Sequence, residues 1–459
     1  MPLGYARTWP LVLFAPAVGF PAFAQVEPSA AAPKMPRGFS IPLIDLDQHT
    51  NRQVVVDREP GQYLGHVTTV RLEDGKTILA VYPKGHGRGA IVMKRSTDSG
   101  LTWSERLPTP PSWATSREVP TIHRVVDAKG VKRLILFSGL YPIRMSVSED
   151  DGATWSELKP IGGFGGIVTM GDVVRLRDGE GRYMALFHDD GRFLRGAGKV
   201  TKFQVFKTVS TDGGLTWSEP EVIAEHPTAH LCEPGAVRSP DGRQIAVLFR
   251  ENSRKLNSFV IFTHDEGKTW TKPVELPGAL TGDRHTCRYA PDGRLVIVFR
   301  DTTHESPTKG DFAAWVGTYD DIVAGREGQY RLRLKDNKKG ADTTYPGVEV
   351  LPDGTIVATT YGHWVEGAQP YILSVRFKLS EIDEMAREQK PKPTASDPSL
   401  QPPPIHFAPG PEYADDKRRF QGIPGLEREP GGRLWATWYS GGDGEGPFNF
   451  VLLVTSADD

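Results

Sequence analysis

Ser96-Thr97-Asp98-Ser99-Gly100-Leu101-Thr102-Trp103 decides the fold, because the same S/T-x-D-x-G-x-T-W box returns at residues 148–155, 210–217 and 263–270. The four tryptophans are 52, 62 and 53 residues apart, a period that suits four-stranded propeller blades. Turn chemistry accounts for every residue of the box. Asp and Ser side chains cap turn amides, Gly takes the left-handed position, and Trp has the bulk to pack between adjacent sheets. The box is therefore read as structural.

A second phrase precedes each box, a turn ending in Gly and then a β-rich apolar run. It occurs at Asp74-Gly75, Lys129-Gly130, Asp178-Gly179, Asp241-Gly242, Asp292-Gly293 and Asp353-Gly354. Six phrases predict an all-β, six-bladed β-propeller over residues 40–380. The last two blades keep only remnants of the box near Tyr319-Asp320-Asp321 and Phe377-Lys378. Residues 39–57 precede the first phrase, and their strand character predicts an outer strand that closes blade six. The 49 Gly and 38 Pro of the 459-residue chain agree with many turns between short strands.

The chain changes character after Leu379. Residues 380–387 predict one short helix, and the Pro-rich stretch 381–404 reads as a linker. Residues 405–459 resemble the start of another blade and end on Thr455-Ser456-Ala457-Asp458-Asp459, the front half of another box. The expectation is a truncated second propeller-like domain. At the other end, Arg7, an apolar run from Trp9 to Phe20 and Ala22-Phe23-Ala24 predict a signal peptide over 1–24 cut after Ala24, with 25–39 as a linker. The expected location is secreted or periplasmic, without a membrane anchor, since Pro10 and Pro16 interrupt a run too short to span.

A net charge of -2 spread along the chain gives no field to recruit nucleic acid or an anionic membrane. Cys232 and Cys287 come from neighbouring repeats but stand four positions out of register, roughly 13 Å along a strand, so two free thiols are expected. No His/Cys/carboxylate group has ligand spacing, and neither a metal nor a cofactor is expected. Gly162-Gly163-Phe164-Gly165-Gly166 lacks the Lys-Ser/Thr of a phosphate loop and reads as a rim loop.

Propellers bind ligands at one end of the central channel, where the innermost strands begin. Nine positions before each turn glycine stand His66, Thr121, Met170, Glu233, Arg284 and Tyr345. The following strand ends at the same rim and adds Lys84, His86 and Arg88; His188, Asp189 and Asp190; Arg250 and Glu251; Arg300 and Asp301; Tyr361 and His363.

Glu233-Pro234-Gly235-Ala236-Val237, followed by Arg250 and the box at Thr263, together with Tyr345-Pro346-Gly347-Val348, resembles the exo-sialidase family. The resemblance covers about residues 40–380. It implies a retaining glycosidase with Tyr345 as nucleophile, Glu233 as its acidic partner and Arg250, with Arg284 or Arg300, as the arginines that hold a sugar carboxylate. His86 and Arg88 are further substrate-binding candidates. The chemistry agrees, since a tyrosine of pKa near 10 needs a neighbouring carboxylate to take its proton. Where the family carries Arg-Ile-Pro, this chain has Gly65-His66-Val67, and residues 82–93 hold no carboxylate for the family's acid/base role. His66, His86, Asp189 and Asp190 stand open as proton donors. The partner expected is an acidic glycan. Two other readings stand beside hydrolysis: a polysaccharide lyase in which His66 or Tyr345 removes the C5 proton of a uronate, and a noncatalytic glycan-binding propeller.

Overall fold

The computed structural model describes residues 35–389, 405–444 and 449–456. The predicted signal peptide and the Pro-rich part of the linker lie outside these. The chain divides into two compact units, residues 1–389 and 390–459.

Apolar runs after each glycine turn become buried strands, and among the described residues the first unit holds six sheets built on antiparallel hairpins. The first strand of each sheet is, in order, Thr68–Arg71, Thr121–Val126, Ile167–Arg175, Leu231–Arg238, Gly282–Tyr289 and Gly347–Val350. The second strands are Ile78–Pro83, Lys132–Ser138, Tyr183–Asp189, Ile245–Glu251, Leu295–Asp301 and Ile356–Gly362. They are nearly free of exposed positions because a neighbouring sheet covers each face.

Apolar cores lie between neighbouring sheets. Val125, Phe137, Ala185 and Phe187 join the second to the third, for example. Ala80, Tyr82, Tyr361 and Ile372 join the first to the sixth. Each large apolar side chain buried in this way contributes about 1.5–3 kcal/mol.

The boxes close the turns after the third strands. In the first, the Ser96 hydroxyl accepts from the Gly100 amide at 2.8 Å, while Asp98 accepts from the Thr102 amide at 2.9 Å and its hydroxyl at 2.6 Å. Asp150, Asp212 and Asp265 repeat the pattern. Trp217 packs edge-on against Phe137 with ring centroids 5.6 Å apart, a contact between neighbouring sheets. In the fifth and sixth sheets a helix stands where the box would be: Tyr319–Ala324, whose Thr318 and Asp321 cap each other, and Leu379–Gln389. The remnant residues near 320 and 378 are thus helix starts. The helix expected at 380–387 forms over the second of these.

Residues 39–57 divide their work differently from the expectation. Leu43–Asp45 adds a parallel outer strand to the fifth sheet, and only Gln53–Asp57 serves the sixth. Between them the chain passes through a three-residue 3-10 turn at Thr50–Arg52. Cys232 and Cys287 are buried free thiols.

The first strands carry the feature that builds the site. Register breaks between Ile167 and Asp172, Cys232 and Gly235, and Asp283 and Thr286. His66, Val168, Glu233, Arg284 and Thr344, at the corresponding place in five of the six sheets, have φ of 50°, 49°, 52°, 57° and 60°. A bulge with a left-handed residue turns a side chain out of the regular alternation, and strain of this kind concentrates at functional sites. Gly235 follows one bulge because a Cβ there would sit 2.0 Å from the His285 carbonyl oxygen of the next sheet.

The second unit contains one three-stranded antiparallel sheet, Phe420–Arg428, Leu434–Gly441 and Phe450–Ser456. Its first strand has the same kind of bulge, between Gly422 and Gly425, with Ile423 at φ 47°. No helix among the described residues is long and apolar enough to cross a membrane.

Candidate active site

In an antiparallel sheet the start of the first strand and the end of the second share one edge, and the third strand's box lies at the other. That edge opens on a cavity of about 470 Å³ whose lining includes His66, His86, Arg88, Glu233, Arg250 and Tyr345. Glu118, Arg117, His188, Asp190 and Arg192 line it as well.

At its floor the Tyr345 hydroxyl donates to Glu233 Oε1, which also receives Arg250 at 2.5 Å. Both are buried, at 6% and 3% exposure. The Glu233 amide donates to His188 Nδ1 at 3.2 Å, and its Oε2 has no hydrogen-bond partner. Burial alone would raise the Glu233 carboxyl, but the charge of Arg250 holds it below the ordinary range. Burial and the Glu233 charge push the Tyr345 hydroxyl well above its ordinary value. The pair at rest is therefore neutral tyrosine and carboxylate.

Behind them, Asp283 gathers three arginines. Arg254 reaches it at 2.6 and 2.8 Å, Arg300 Nε at 2.8 Å and Arg250 Nε at 3.3 Å. Burial acts to raise this carboxyl, and the guanidiniums of Arg300 and Arg250 bring it below the usual carboxylate range. Two of the arginines expected to hold the substrate are engaged by protein groups. Arg300 also donates to the Ala341 and Thr343 carbonyls, so its guanidinium is spent on protein. Arg284 is buried and donates to the Gly171 carbonyl. Neither is among the residues lining the cavity.

Asp189 is likewise engaged by the protein, here by backbone amides. Its carboxylate accepts from the Gly191 amide at 2.8 Å and the Leu194 amide at 3.0 Å, which makes it the cap of a loop rather than a group facing a ligand. Asp190 does line the cavity but is paired with Arg192 at 2.9 Å.

His66 packs against Tyr345, with ring centroids 4.3 Å apart. Its Nδ1 accepts the Gly87 amide at 3.0 Å, which assigns the proton of the neutral ring to Nε2. Burial holds it well below the ordinary histidine value. His86 is held by the Tyr63 hydroxyl at 2.7 Å, and Tyr63 donates to Asp342 at 2.6 Å. Asp342 also receives His363 at 2.9 Å. Sequence spacing gave no access to this chain of contacts, since Tyr63 and Asp342 lie in loops.

Glu118 was likewise missed, because it precedes the second sheet in a loop with no period to mark it. One carboxylate oxygen accepts the Val119 amide at 2.9 Å. Burial, with the charge of Glu233 adding to it, pushes this carboxyl up to about 7. A carboxylic acid poised near neutrality in a cavity is the profile of a proton donor. Among the described residues no group of three or more His, Cys, Asp or Glu is arranged to hold a metal ion.

Residues 143–361 match the family model of the BNR repeat-like domain. No curated protein matches the sequence. Among solved structures, a Dyadobacter fermentans protein of unknown function matches at a TM-score of 0.57 and 15% identity, over 71% of this chain and 97% of that one. A leech intramolecular trans-sialidase, complexed with 2,7-anhydro-Neu5Ac, matches at a TM-score of 0.51 and 15% identity, over 70% of this chain and 69% of that one. The first unit is therefore an all-β, sialidase-like fold, of which residues 143–361 match the BNR repeat-like domain.

Proposed function

We propose that this protein is a secreted retaining exo-glycosidase that removes a terminal sialic acid or related acidic sugar, with its six sheets acting as the blades of a six-bladed propeller around the catalytic cavity. One observation carries the reading: the Tyr345 hydroxyl donates to Glu233 at the floor of that cavity. As Tyr345 attacks the anomeric carbon, its proton passes to Glu233, and Glu118 protonates the departing glycosidic oxygen. In the second half Glu118 takes a proton from water, which attacks the same carbon. Tyr345 then leaves and recovers its proton from Glu233. A neutral nucleophile avoids repulsion by the substrate's own carboxylate. Arg250, which pairs with Glu233 and lines the cavity, is the arginine assigned to that carboxylate.

Elimination by His66 is disfavoured by the same contacts. Its Nδ1 lone pair is taken by Gly87 and its Nε2 carries the proton, so the ring has no free base to offer.

Incubation with fluorogenic sialosides and uronides, with parallel recording of ultraviolet absorbance, tests the assignment. Released sugar without a new C4–C5 double bond is the expected result. Absorbance from such a bond would establish a lyase, and binding with neither product a noncatalytic receptor. A sugar fluorinated on the carbon next to the anomeric centre, with an activated leaving group, should trap the intermediate and place its mass on the peptide containing Tyr345.

A further inference from the structure

The cavity mouth carries two arginines that the catalytic reading leaves unused. Arg88 lies in the loop after the second strand of the first sheet, and Arg117 in the loop before the second sheet. The Gly89 amide donates to the Ser116 carbonyl at 3.3 Å, so the arginines flank a hydrogen bond that ties the two loops together. The Arg88 loop is tight: Gly89 has φ 122°, and a Cβ there would sit 2.4 Å from the Lys84 carbonyl oxygen. The position of Arg88 is thereby fixed by backbone.

Both side chains are exposed and both line the cavity. Neither has a hydrogen-bond or ion-pair partner among the described residues. The other cavity arginines are each held by a carboxylate, Arg192 by Asp190 at 2.8 Å and Arg250 by Glu233 at 2.5 Å. Nor does the ground behind Arg117 supply a counter-charge. Arg144 donates to the Thr115 hydroxyl and carbonyl at 2.8 and 2.7 Å, and it is lowered by burial and by the charge of Arg117. Two like charges on loops tied to each other, each without a partner, favour an anion at the mouth that both line.

We infer that Arg88 and Arg117 form an anion clamp for a carboxylate or sulfate on the sugar next to the one cleaved, so that the substrate is a polyanionic glycan. The placement follows from depth. Tyr345 and Glu233 are buried at the floor, whereas the arginines are exposed at the mouth, where the rest of the glycan must leave. This deepens the glycosidase reading but does not need turnover to be tested.

The experiment is calorimetric titration of the full chain with oligogalacturonate and with its methyl ester, which has the same backbone without charge. Dextran sulfate and dextran form a second arm that distinguishes sulfate from carboxylate. The charged form of at least one pair should bind tighter by about tenfold or more at low salt, with the preference shrinking as salt rises. The double variant R88Q/R117Q should lose that preference, and R175Q/R195Q, which alters two exposed arginines already paired with Glu180 and Glu219, should keep it. Equal binding of charged and neutral forms by the wild type, or a preference that survives R88Q/R117Q, would overturn the clamp. Y345F separates the two readings, since it removes turnover if the glycosidase reading holds and leaves the charge preference readable either way. Unchanged thermal melting of the double variant is expected for two exposed side chains and excludes misfolding as the cause.

Discussion

The hydroxyl of Tyr345 and the carboxylate of Glu233, 112 residues apart in sequence, share a hydrogen bond in which the same carboxylate oxygen also holds Arg250. The two residues come from the sixth and fourth sheets, and each stands at or beside a left-handed bulge. Removing the nucleophile should therefore be severe without being structural. Tyr345→Phe is expected to lower kcat by about 10³-fold or more with little change in melting temperature. Glu233→Gln should cost about 10²–10⁴-fold, the range of a lost general base. Initial rates on a fluorogenic acidic glycoside check both, and a fully active Tyr345→Phe protein would sink the nucleophile assignment.

Glu118 sets a pH limit. A donor whose carboxyl sits at about 7 is protonated below that value and lost above it, so activity should fall as pH rises through roughly 7. Glu118→Gln should remove that limb from the profile. It should also slow natural glycans far more than aryl glycosides, whose leaving groups need no proton. A variant that slows both equally would point to a merely structural role. Stability carries the same sign. The folded carboxyl is raised above its unfolded value of 4.5, so its contribution is full below pH 4.5 and declines as pH rises through about 7.

Arg300 and Arg250 should separate by what they damage. Both reach Asp283, but only Arg250 also touches Glu233 and lines the cavity. Arg300→Met leaves Asp283 with part of its charge uncompensated in a buried setting, a change worth about 3–5 kcal/mol for a broken buried pair. Its main effect should be a lower melting temperature. Arg250→Met should show a larger loss of kcat/KM. Because Asp283 is held below its ordinary value of 3.8, the hub's contribution is present above that pH and is lost only as acid titrates through the depressed value. The melting gap between the wild type and Arg300→Met proteins should therefore be the same at pH 7 and pH 4.

Much of the fold was legible because its signals are local. Each box and each glycine turn is a self-contained set of hydrogen bonds, so the sequence reports it without reference to the rest of the chain. Counting back from the turn found His66, Glu233, Arg284 and Tyr345 for a similar reason: a strand fixes the distance from its turn to its start. What the count could not report is where a side chain goes once a bulge has turned it. Arg284 stands at the ring position but donates to Gly171, while its neighbour Asp283 collects the arginines. Arg300 stands at the correct rim yet is consumed by that carboxylate. Glu118, Tyr63 and Asp342 occupy loops, where no periodicity marks a residue. The boxes of the last two sheets misled because a helix cap such as Thr318 with Asp321 uses the same residue types as a turn.

Gly235 offers a test of how closely the fold and the catalytic geometry are tied. It follows Glu233 by two residues, and a methyl group there would lie 2.0 Å from the His285 carbonyl oxygen and 3.4 Å from its Cβ. The obstacle is backbone of the neighbouring sheet, so neither strand can yield by a rotamer change. Gly235→Ala must push the fourth and fifth sheets apart at their inner strands, at a cost of about 1–3 kcal/mol for overpacking. The same displacement moves Glu233 relative to Tyr345, whose hydrogen bond spans sheets on either side of the fifth. The expected result is a lower melting temperature together with a fall in kcat of about 10²-fold, since a displacement of about 1 Å in a catalytic pair costs on that order. Gly163→Ala is the control, because its Cβ would meet nothing within 4 Å, and it should change neither quantity. A Gly235→Ala protein that melted early but kept full kcat would mean that the Glu233–Tyr345 contact is not set by the approach of these strands.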